Sequence, residues 1–309
     1  MRVGITRKIE STGALPAGMT RSRQMLALIV GAFGITVWWG SQREAADATK
    51  PIGLVDPQNV TVLDESTIRV GSFNIHCAKG DDGQVDLGRV AKCLANLDFV
   101  SLNEVRGAAN YRKTQAAILG RKLGMASMFA PTERRWWHGH FGNGLLTRAE
   151  LTGWQVIPLV GTRDHKFRNA ILTSIKHKDT DVRILLTHLD TQDDRRIQLQ
   201  SVIHLFLALR EPAILMGDFN TTANDPLLQG LLQTPGVTDA VQAGIKHPLP
   251  GNRIDWIITR GLRCVDAGYE ETDASDHPVV WAELGIDPTH KIPSRNVPMT
   301  ASKREAKHD

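Results

Sequence analysis

Cysteine is scarce in this chain of 309 residues, which contains only Cys77, Cys93 and Cys264. The count is odd and no two cysteines are closely spaced, which excludes a zinc ribbon and a disulfide-rich scaffold. We expect buried structural thiols. If the domain is exported, a bridge between Cys77 and Cys93 or between Cys93 and Cys264 is compatible with the sequence.

Several catalytic motifs are absent as well. The sequence contains no His-Glu-x-x-His, no Gly-x-Ser-x-Gly and no Walker-type loop. Their absence argues against a zinc protease, a serine hydrolase with a nucleophile elbow and a P-loop nucleotidase. The sequence also shows no internal repeat, which argues against a solenoid.

Neither sign of charge dominates, because 37 Lys and Arg stand against 33 Asp and Glu, a formal net charge of +4. The excess lies at the termini: residues 1–24 carry five basic residues and one acidic residue, whereas residues 69–285 carry 25 and 24. A nearly neutral folded region argues against a broad nucleic-acid groove, although a local basic patch would fit.

One long apolar run stands out at residues 25–39, directly after the basic N-terminal residues. As a helix, these 15 residues would rise about 22 Å, less than a bilayer core of about 30 Å. We interpret residues 1–48 as a signal peptide cleaved near residues 46–48, or as a signal anchor that keeps Trp38 and Trp39 at the membrane interface. Both interpretations predict an exported domain, periplasmic or otherwise extracytoplasmic.

Residues 49–68 are predicted to form a linker with a short edge strand at Asn59–Leu63. Residues 69–285 contain about ten short apolar or alternating runs typical of strands, with three or four helices between them. This pattern predicts one α/β domain with mixed sheets in the centre and helices outside. Residues 286–309, which contain several prolines and charges, are expected to be a disordered tail.

The most informative stretch for function is a predicted buried strand at Ala213–Met216, which ends at Gly217 and leads to Asp218 and Asn220. If the chain stays extended, both polar side chains point the same way, because alternate residues of a strand share a face. A carboxylate and an amide on one rim suit hydrolysis of a phosphate ester: one activates water and the other holds an oxygen. A helix cap or an Asx-turn is the structural alternative.

Polar residues end other predicted strands too. Individually each could be a cap, a turn residue or a hydrogen-bonded core residue, but together they indicate a site. Carboxylate and amide oxygens are hard donors that suit Mg²⁺ or Mn²⁺. The residues are Asn74, Glu104, Asn143, His188, Asp218, Asn220, Asp255, Asp276 and His277.

Seven short motifs containing these residues follow one another in a specific order. They are Phe-Asn-Ile (73–75), Asn-Glu-Val (103–105), Gly-Asn-Gly-Leu-Leu-Thr-Arg (142–148), Thr-His-Leu (187–189), Gly-Asp-Phe-Asn (217–220), Arg-Ile-Asp-Trp-Ile (253–257) and Ser-Asp-His-Pro (275–278). Together they resemble the endonuclease/exonuclease/phosphatase superfamily of deoxyribonuclease-like, metal-dependent phosphodiesterases, in its compact bacterial form. The resemblance covers about residues 69–285. It implies an α/β fold in which a four-layered sandwich of two central mixed β-sheets is flanked by helices.

The resemblance also implies roles for the metal-binding and water-activating residues. Asn74 and Glu104 would hold Mg²⁺, with Mn²⁺ as a substitute, and Asp276 would lie near the metal. Asp218 would position or deprotonate the attacking water, and Asn220 would steady the phosphate oxygens. The implied chemistry is metal-assisted, in-line hydrolysis without a covalent intermediate.

Two histidines would stabilise negative charge on the phosphate. Asp255 would orient His277, and His188 would be a second phosphate contact. The chain departs from the family at Asn103, where a Gln usually precedes the metal-binding Glu. A partner that orients His188 is not evident from the sequence.

The predicted substrate-binding residues lie near Asn143. Arg135, Trp136 and Trp137 could stack a base, clamp a sugar phosphate or lie on a lipid surface, and Arg168 could border the same cleft. The expected partner is a phosphodiester, either nucleic acid or a lipid or small molecule, and the expected protein is a monomer whose residues 25–39 contact the membrane if uncleaved. The alternatives are an exported phosphodiesterase of phospholipid or sphingomyelin type and a non-catalytic binding module.

Overall fold

The computed structural model describes residues 21–41, 44–46, 52–55, 66–107, 113–134, 139–161 and 167–286. The chain divides into residues 1–42 and residues 43–309. Within the first unit, Arg21–Ser41 form helix α1. No helix in the described parts of the chain is both long and apolar enough to cross a membrane.

The second unit is built on two β-sheets. The larger has eight strands, and the smaller has six. The strands in chain order are β1 (Glu44–Ala45), β2 (Ile52–Val55), β3 (Thr67–Asn74), β4 (Phe99–Gly107), β5 (Ala126–Arg134), β6 (His140–Thr147), β7 (Leu151–Pro158), β8 (Asn169–His177), β9 (Thr180–His188), β10 (Ala213–Asp218), β11 (Val237–Asp239), β12 (Asp255–Arg260), β13 (Leu262–Glu270) and β14 (Val279–Ile286). The larger sheet runs β1-β5-β6-β4-β3-β14-β13, with β2 also paired to β5, and the smaller runs β11-β12-β10-β9-β8-β7.

Both sheets mix parallel and antiparallel pairs. In the larger sheet β3 is parallel to β4 and antiparallel to β14. In the smaller sheet β10 is parallel to β9 and antiparallel to β12. Within each sheet, the carboxyl ends of the parallel pair, β3 with β4 and β9 with β10, therefore lie at the same edge.

Helices lie on the outer face of each sheet. They are α2 (Leu87–Leu94), α3 (Gln115–Leu123), α4 (Arg195–Ala208) and α5 (Pro226–Leu232). A fifth helix, α6 (Ala240–Gly244), contributes Ala240 and Val241 to the cluster between the sheets, and a 3₁₀ turn spans His76–Ala78. Capping side chains begin four of the five helices: Asp86 accepts from Gly88 N–H at 2.6 Å in α2, Thr114 caps α3, Asp225 precedes Pro226 in α5, and Asp239 caps α6.

Three apolar clusters separate the layers. The first fills the space between the sheets, with Ile68 and Val70 of β3 facing Ile214 and Met216 of β10. The second lies between the larger sheet and α2 and α3, and the third lies between the smaller sheet and α4 and α5. The predicted α/β architecture of two mixed sheets flanked by helices is therefore confirmed.

Four strands were not predicted: β1, β2 and β5 of the larger sheet and β11 of the smaller sheet. β5 contains Pro131, which lacks a backbone donor and argues against a central strand. Pro131 sits beside an irregularity in the β5–β6 register between Pro131 and Glu133, where a missing N–H is tolerated. β2 forms within the predicted linker, whereas the strand expected at Asn59–Leu63 and the tail from residue 287 onward lie outside the described residues.

The cysteines differ from expectation. All three are half-buried rather than buried. Cys93, which both candidate bridges would share, is a free thiol whose sulfur lies 3.3 Å from Thr272 Oγ1. Burial raises the pKa of the Cys264 thiol to about 11, so this thiol stays protonated.

Candidate active site

Asp218 lies at the end of β10, where the layer between the sheets changes from apolar to polar. Ile214 and Met216 face the inter-sheet core, and Asp218 continues their row because alternate residues of a strand share a face. Its register partners are His188 at the end of β9 and Asp255 at the start of β12. Three neighbouring strands thus present ionisable groups at one rim.

A close approach between β9 and β10 requires glycine at position 217. Gly217 has φ 139°, and a Cβ added there would lie 1.9 Å from the carbonyl oxygen of Thr187. No side chain fits at that distance. Gly217 therefore sets the spacing between the strand that carries Asp218 and the strand that carries His188.

The facing sheet supplies amides by the same alternation. Val70 faces the inter-sheet core, so Asn74, four residues later on β3, lies on that face. Asn74 Nδ2 donates to Asp218 Oδ2 across 3.0 Å, and Asn103 is the register partner of Asn74 on β4. The rim is consequently assembled from both sheets.

Glu104 reaches this rim through a β-bulge. Leu102 and Val105 both belong to the apolar cluster between the larger sheet and α2 and α3. In a regular strand, the residue after Leu102 on the same face would be residue 104, not residue 105. The β4–β6 register shifts between Leu102 and Val105, so that Asn103 and Glu104 together oppose Asn143. Glu104 adopts φ 58° and is half-buried. Because the two residues of a bulge share a face, we infer that Glu104 lies with Asn103 on the inter-sheet side, where its charge acts on Arg168.

Asn103 connects the two sheets beneath the rim. Its Oδ1 accepts from the backbone N–H of Asp218 at 3.0 Å. Its Nδ2 donates to Thr187 O at 3.1 Å and to Asn143 Oδ1 at 3.0 Å. This fully buried amide thus holds the backbones of β9 and β10 against β4.

The carboxylate of Asp218 is surrounded by donors. The backbone N–H of Asn220 donates to Oδ1 at 2.8 Å. Oδ2 faces Asn74 Nδ2, His188 Nε2 at 3.4 Å and His277 Nε2 at 3.8 Å. Burial and then the charge of Asp255 raise the pKa of Asp218 to about 7, although His277 and these hydrogen bonds lower it.

His277 is held from behind by a carboxylate. Its Nδ1 lies 2.8 Å from Asp255 Oδ2, and its Nε2 lies 3.4 Å from Asn74 Nδ2. Burial lowers the pKa of His277, but the hydrogen bond and charge of Asp255, with the charges of Asp218 and Asp276, raise it to about 9 overall. The imidazole is therefore a cation at neutral pH, and Asp255 fixes its orientation.

His188 has the opposite kind of partner. Arg168 Nη1 lies 3.4 Å from His188 Nδ1, and both side chains are buried. Burial, followed by the charges of Arg168 and His277, holds the pKa of His188 well below its usual range. His188 is therefore a neutral imidazole at the pH at which His277 is charged.

Two groups of side chains could hold a divalent cation. Asp218, Asp255 and His277 offer donor atoms within 4.8 Å of one another. His277 Nδ1 is already committed to Asp255, however, and Asp218 Oδ2 faces the N–H donors of Asn74. A cation there would meet these donors at close range, which makes this group the less suitable site.

The second set is the one that the resemblance implies, Asn74, Glu104 and Asp276, of which Asn74 and Asp276 both contact His76. Asn74 Oδ1 accepts one hydrogen bond, from His76 N–H at 3.1 Å, and keeps a second lone pair. Glu104 and Asp276 add carboxylate oxygens, and Asp276 is exposed beside His76 Nδ1 at 3.4 Å. These hard oxygen donors, in a rim where carboxylates outnumber cations, fit a divalent ion such as Mg²⁺ or Mn²⁺.

Not every residue predicted from the sequence lies at the rim. Asn143 is buried, and its Nδ2 donates to Asn169 Oδ1 at 2.9 Å, so its amide connects strands instead of facing a substrate. Arg168 contacts His188 from inside the protein. Asn220 is half-buried, with φ 49° and Nδ2 donating to Leu189 O at 3.0 Å. Arg135, Trp136 and Trp137 lie outside the described residues.

Sequence reasoning missed Asn169 and His76. Asn169 begins β8 on the same face as Ile171 and Ile175 of the inter-sheet core, which is the signal that could have identified it. His76 follows Asn74 in a turn of left-handed backbone, with φ 45° at His76 and φ 58° at Cys77. No local pattern predicts that conformation for residues with side chains.

The geometry defines a class of protein: an α/β sandwich in which carboxylates, amides and histidines lie together at one edge of the space between the sheets. A model of the Endonuclease/Exonuclease/phosphatase family matches residues 71–277, and the chain belongs to this family. The family includes phosphodiesterases, nucleases and phosphatases; its members are generally phosphoester hydrolases and generally depend on a divalent metal. No curated protein in the comparison matches the chain.

Solved structures share the fold at low sequence identity. An endonuclease/exonuclease/phosphatase from Beutenbergia cavernae is 23% identical with a TM-score of 0.58, covering 72% of each chain. The human Nocturnin catalytic domain is 19% identical, with a TM-score of 0.54 and coverage of 74% of this chain and 96% of that one. A mannosyl-6-phosphatase from Bacteroides thetaiotaomicron is 17% identical, with a TM-score of 0.54 and coverage of 70% and 99%. At these identities the likeness concerns the fold alone.

Proposed function

We propose that this protein is a Mg²⁺-dependent hydrolase that cleaves phosphodiesters by direct in-line attack of water. The observation that carries the proposal is the convergence on one buried carboxylate, Asp218, of an amide from the facing sheet and two imidazoles. Such a group can accept a proton while its neighbours donate to phosphate oxygens.

Each side chain then has one task. Asp218 accepts the proton of the attacking water, and its raised pKa of about 7 suits a general base near neutral pH. His277, held as a cation by Asp255, and His188, a neutral donor, stabilise the negative charge that develops on the phosphate. Asn220 completes the set with its backbone N–H on Asp218.

Glu104 and Asn74, with Asp276 nearby, would hold Mg²⁺, which when bound acts as a Lewis acid on a phosphate oxygen. The bulge that brings Glu104 to the inter-sheet side supports this assignment. The hard oxygen donors support Mg²⁺ or Mn²⁺ over a softer metal.

We further propose that the enzyme works outside the cytoplasm. Five basic residues within positions 1–24, followed by the apolar run at 25–39, support export. An extracytoplasmic enzyme would meet nucleic acid, lipid headgroups or small phosphodiesters. The family membership supports a phosphoester substrate in general, and the nearly neutral charge of residues 69–285 gives no preference for nucleic acid.

A substrate panel tests the proposal. The purified full-length chain with Mg²⁺ is assayed on plasmid DNA, an abasic duplex, sphingomyelin, a bis-aryl phosphodiester and an aryl phosphate monoester. We expect hydrolysis of at least one diester, loss of activity with EDTA and recovery with Mg²⁺.

Matched variants complete the test. Glu104→Ala and His277→Ala should abolish the activity, whereas Glu150→Ala, which removes an exposed carboxylate, should leave it unchanged. Full activity in both site variants would refute the mechanism. No hydrolysis of any substrate by the parent chain would favour a non-catalytic binding module, and cleavage of the monoester alone would identify a phosphatase.

A further inference from the structure

Arg168 is a buried cation that contacts His188 at the candidate active site. Only 9% of its surface is exposed. Burial lowers the pKa of Arg168, whereas the charges of Asp190, Glu104, Asp218 and Glu133 raise it. A guanidinium remains protonated in proteins, so the side chain is a permanent donor.

The position of Arg168 is fixed by the chain around it. Its carbonyl accepts from the N–H of Leu159 at 3.0 Å, and it directly precedes β8, whose first residue, Asn169, is bonded to Asn143. Among the described residues, Nε has no hydrogen-bond partner. Nη1, by contrast, lies 3.4 Å from His188 Nδ1.

This contact determines where the proton of His188 must be. Arg168 can only donate, so His188 Nδ1 must accept and cannot carry a hydrogen. A neutral imidazole then has its proton on Nε2. That atom faces the acceptor Asp218 Oδ2 at 3.4 Å, so both ring nitrogens meet the partner that this tautomer requires.

We propose that Arg168 is a positioning residue, which holds His188 in the neutral tautomer with its proton on Nε2 and so presents an N–H donor to the phosphate. The part that concerns the phosphate rests on the proposed function. The part that concerns the tautomer rests on the contacts of Arg168, His188 and Asp218 alone.

The alternative role for Arg168 is direct contact with substrate. The burial of Arg168 and its contact with His188 Nδ1 favour the positioning role, because the imidazole of His188 lies between the guanidinium and Asp218. The two roles predict different kinetics. Loss of a positioning residue lowers kcat, whereas loss of a substrate contact raises KM.

Histidine ring NMR tests the tautomer without any substrate. In metal-free, ¹⁵N-labelled full-length protein, with His188→Gln used to assign the signals, we expect His188 to show an unprotonated Nδ1 and a protonated Nε2 from pH 5.5 to pH 8. A proton on Nδ1 in the parent protein would overturn the proposal, whether or not any hydrolysis is found.

Variants of Arg168 test the cause. Arg168→Lys keeps a cationic donor and should preserve the tautomer, whereas Arg168→Met should give a mixture of tautomers and lower kcat by up to about 10²-fold with KM within about threefold. An unchanged tautomer in folded Arg168→Met, or a raised KM with unchanged kcat, would overturn the assignment. If Arg168→Met fails to fold, the tautomer in the parent protein decides, because a proton on Nδ1 there already overturns the proposal.

A control variant separates positioning from general destabilisation. Arg148 donates to the carbonyls of Leu97 and Leu123, away from both histidines. Arg148→Met should lower thermal stability without altering the His188 signals. If no substrate is found but the tautomer is as expected and depends on Arg168, the proposed function fails while the positioning role stands.

Discussion

The two imidazoles that flank Asp218 lie in pockets of opposite character. Behind His277 is a carboxylate, Asp255, at 2.8 Å, and the pKa of the imidazole is raised to about 9. Behind His188 is the guanidinium of Arg168 at 3.4 Å, and burial together with that charge holds the pKa well below its usual range. The residue behind the ring therefore decides whether the same side chain is a cation or a neutral donor.

The difference has a chemical consequence. Two cationic imidazoles beside one buried carboxylate would lower the pKa of Asp218 and weaken it as a base. One cation and one neutral donor still provide two N–H groups for a phosphate. Asp218 meanwhile keeps a pKa of about 7, close to the value at which a base works best at neutral pH.

The largest expected effect comes from removing the group that both pockets share. Asp218→Asn eliminates the proposed base and should lower kcat by roughly 10³–10⁴-fold while the fold remains. The pKa of Asp218 is raised in the folded protein, so its ionisation costs stability as pH rises from its ordinary value of 3.8 to about 7. The variant should therefore be at least as stable as the parent at pH 8.

Single-turnover rates and thermal unfolding at pH 6 and pH 8 measure both effects. A rate close to that of the parent would show that another group activates water. A variant markedly less stable at pH 8 than the parent would contradict the raised pKa of Asp218.

The next largest effect is expected from a change in the His277 pocket alone. Asp255→Asn removes the carboxylate behind His277 and should lower the pKa of that imidazole from about 9 toward or below its ordinary 6.5. His277 would then be neutral at pH 8, and kcat there should fall by about 10²-fold. NMR titration of the metal-free protein measures the shift.

The pH dependence of stability gives a second measurement. A histidine whose pKa is raised on folding stabilises the protein fully below its ordinary pKa, and this contribution is lost as pH rises through the folded value of about 9. Stability of the parent should decline between pH 6.5 and 9, and Asp255→Asn should show a smaller decline from this source. The charge of His277 also helps to lower the pKa of His188, so this pKa should rise in the variant while neutral His188 keeps its proton on Nε2.

A smaller effect on catalysis is expected at Asn103, which holds the backbone beneath both pockets. Asn103→Leu leaves the N–H of Asp218 and the carbonyl of Thr187 without their buried partner, so the free energy of unfolding should fall by about 2–4 kcal/mol. Because both pockets would shift together, kcat should fall by about tenfold without a change in the pKa difference between the histidines.

Ser101 provides the matched control for that experiment. It precedes Asn103 on the same face of β4 and is equally buried, but its Oγ has no hydrogen-bond partner among the described residues. Urea unfolding of Ser101→Ala should show a change below about 0.5 kcal/mol. If both variants lost the same free energy of unfolding, the hydrogen bonds of the Asn103 amide would contribute nothing measurable to stability.

The smallest effect is expected at the exposed edge of the His277 pocket. Asp276 is 57% exposed in its side chain, where it pairs with His76 at 3.4 Å. Asp276→Asn should raise the Mg²⁺ concentration for half-maximal activity by about threefold, because exposed charges interact weakly in water. Glu104→Gln should raise it far more. Equal metal dependence in the two variants would assign Asp276 a larger share of the cation site.

Much of the site could be predicted because several of its residues stand at the first or last position of an apolar strand. His188, Asp218 and Asp255 continue rows of core residues in β9, β10 and β12, and the period of two along a strand marks which face they share. The orientation of Glu104 could not be predicted in this way, since it depends on a bulge between β4 and β6. β5 was missed because Pro131 breaks the pattern that identifies strands.

The sequence by itself predicted an α/β domain with mixed sheets and most of the ionisable groups of the site, because apolar periodicity and the residues that interrupt it are local properties. The division into two sheets was implied by the resemblance to the family. The resemblance already implied Asp255 as the partner of His277, whereas only the tertiary structure showed Arg168 beside His188. Arg168 and Asp255 reach His188 and His277 from 20 and 22 residues away, through strand pairing and side-chain packing. Burial then converts these contacts into opposite shifts of pKa, since a nearby charge acts most strongly where water is excluded.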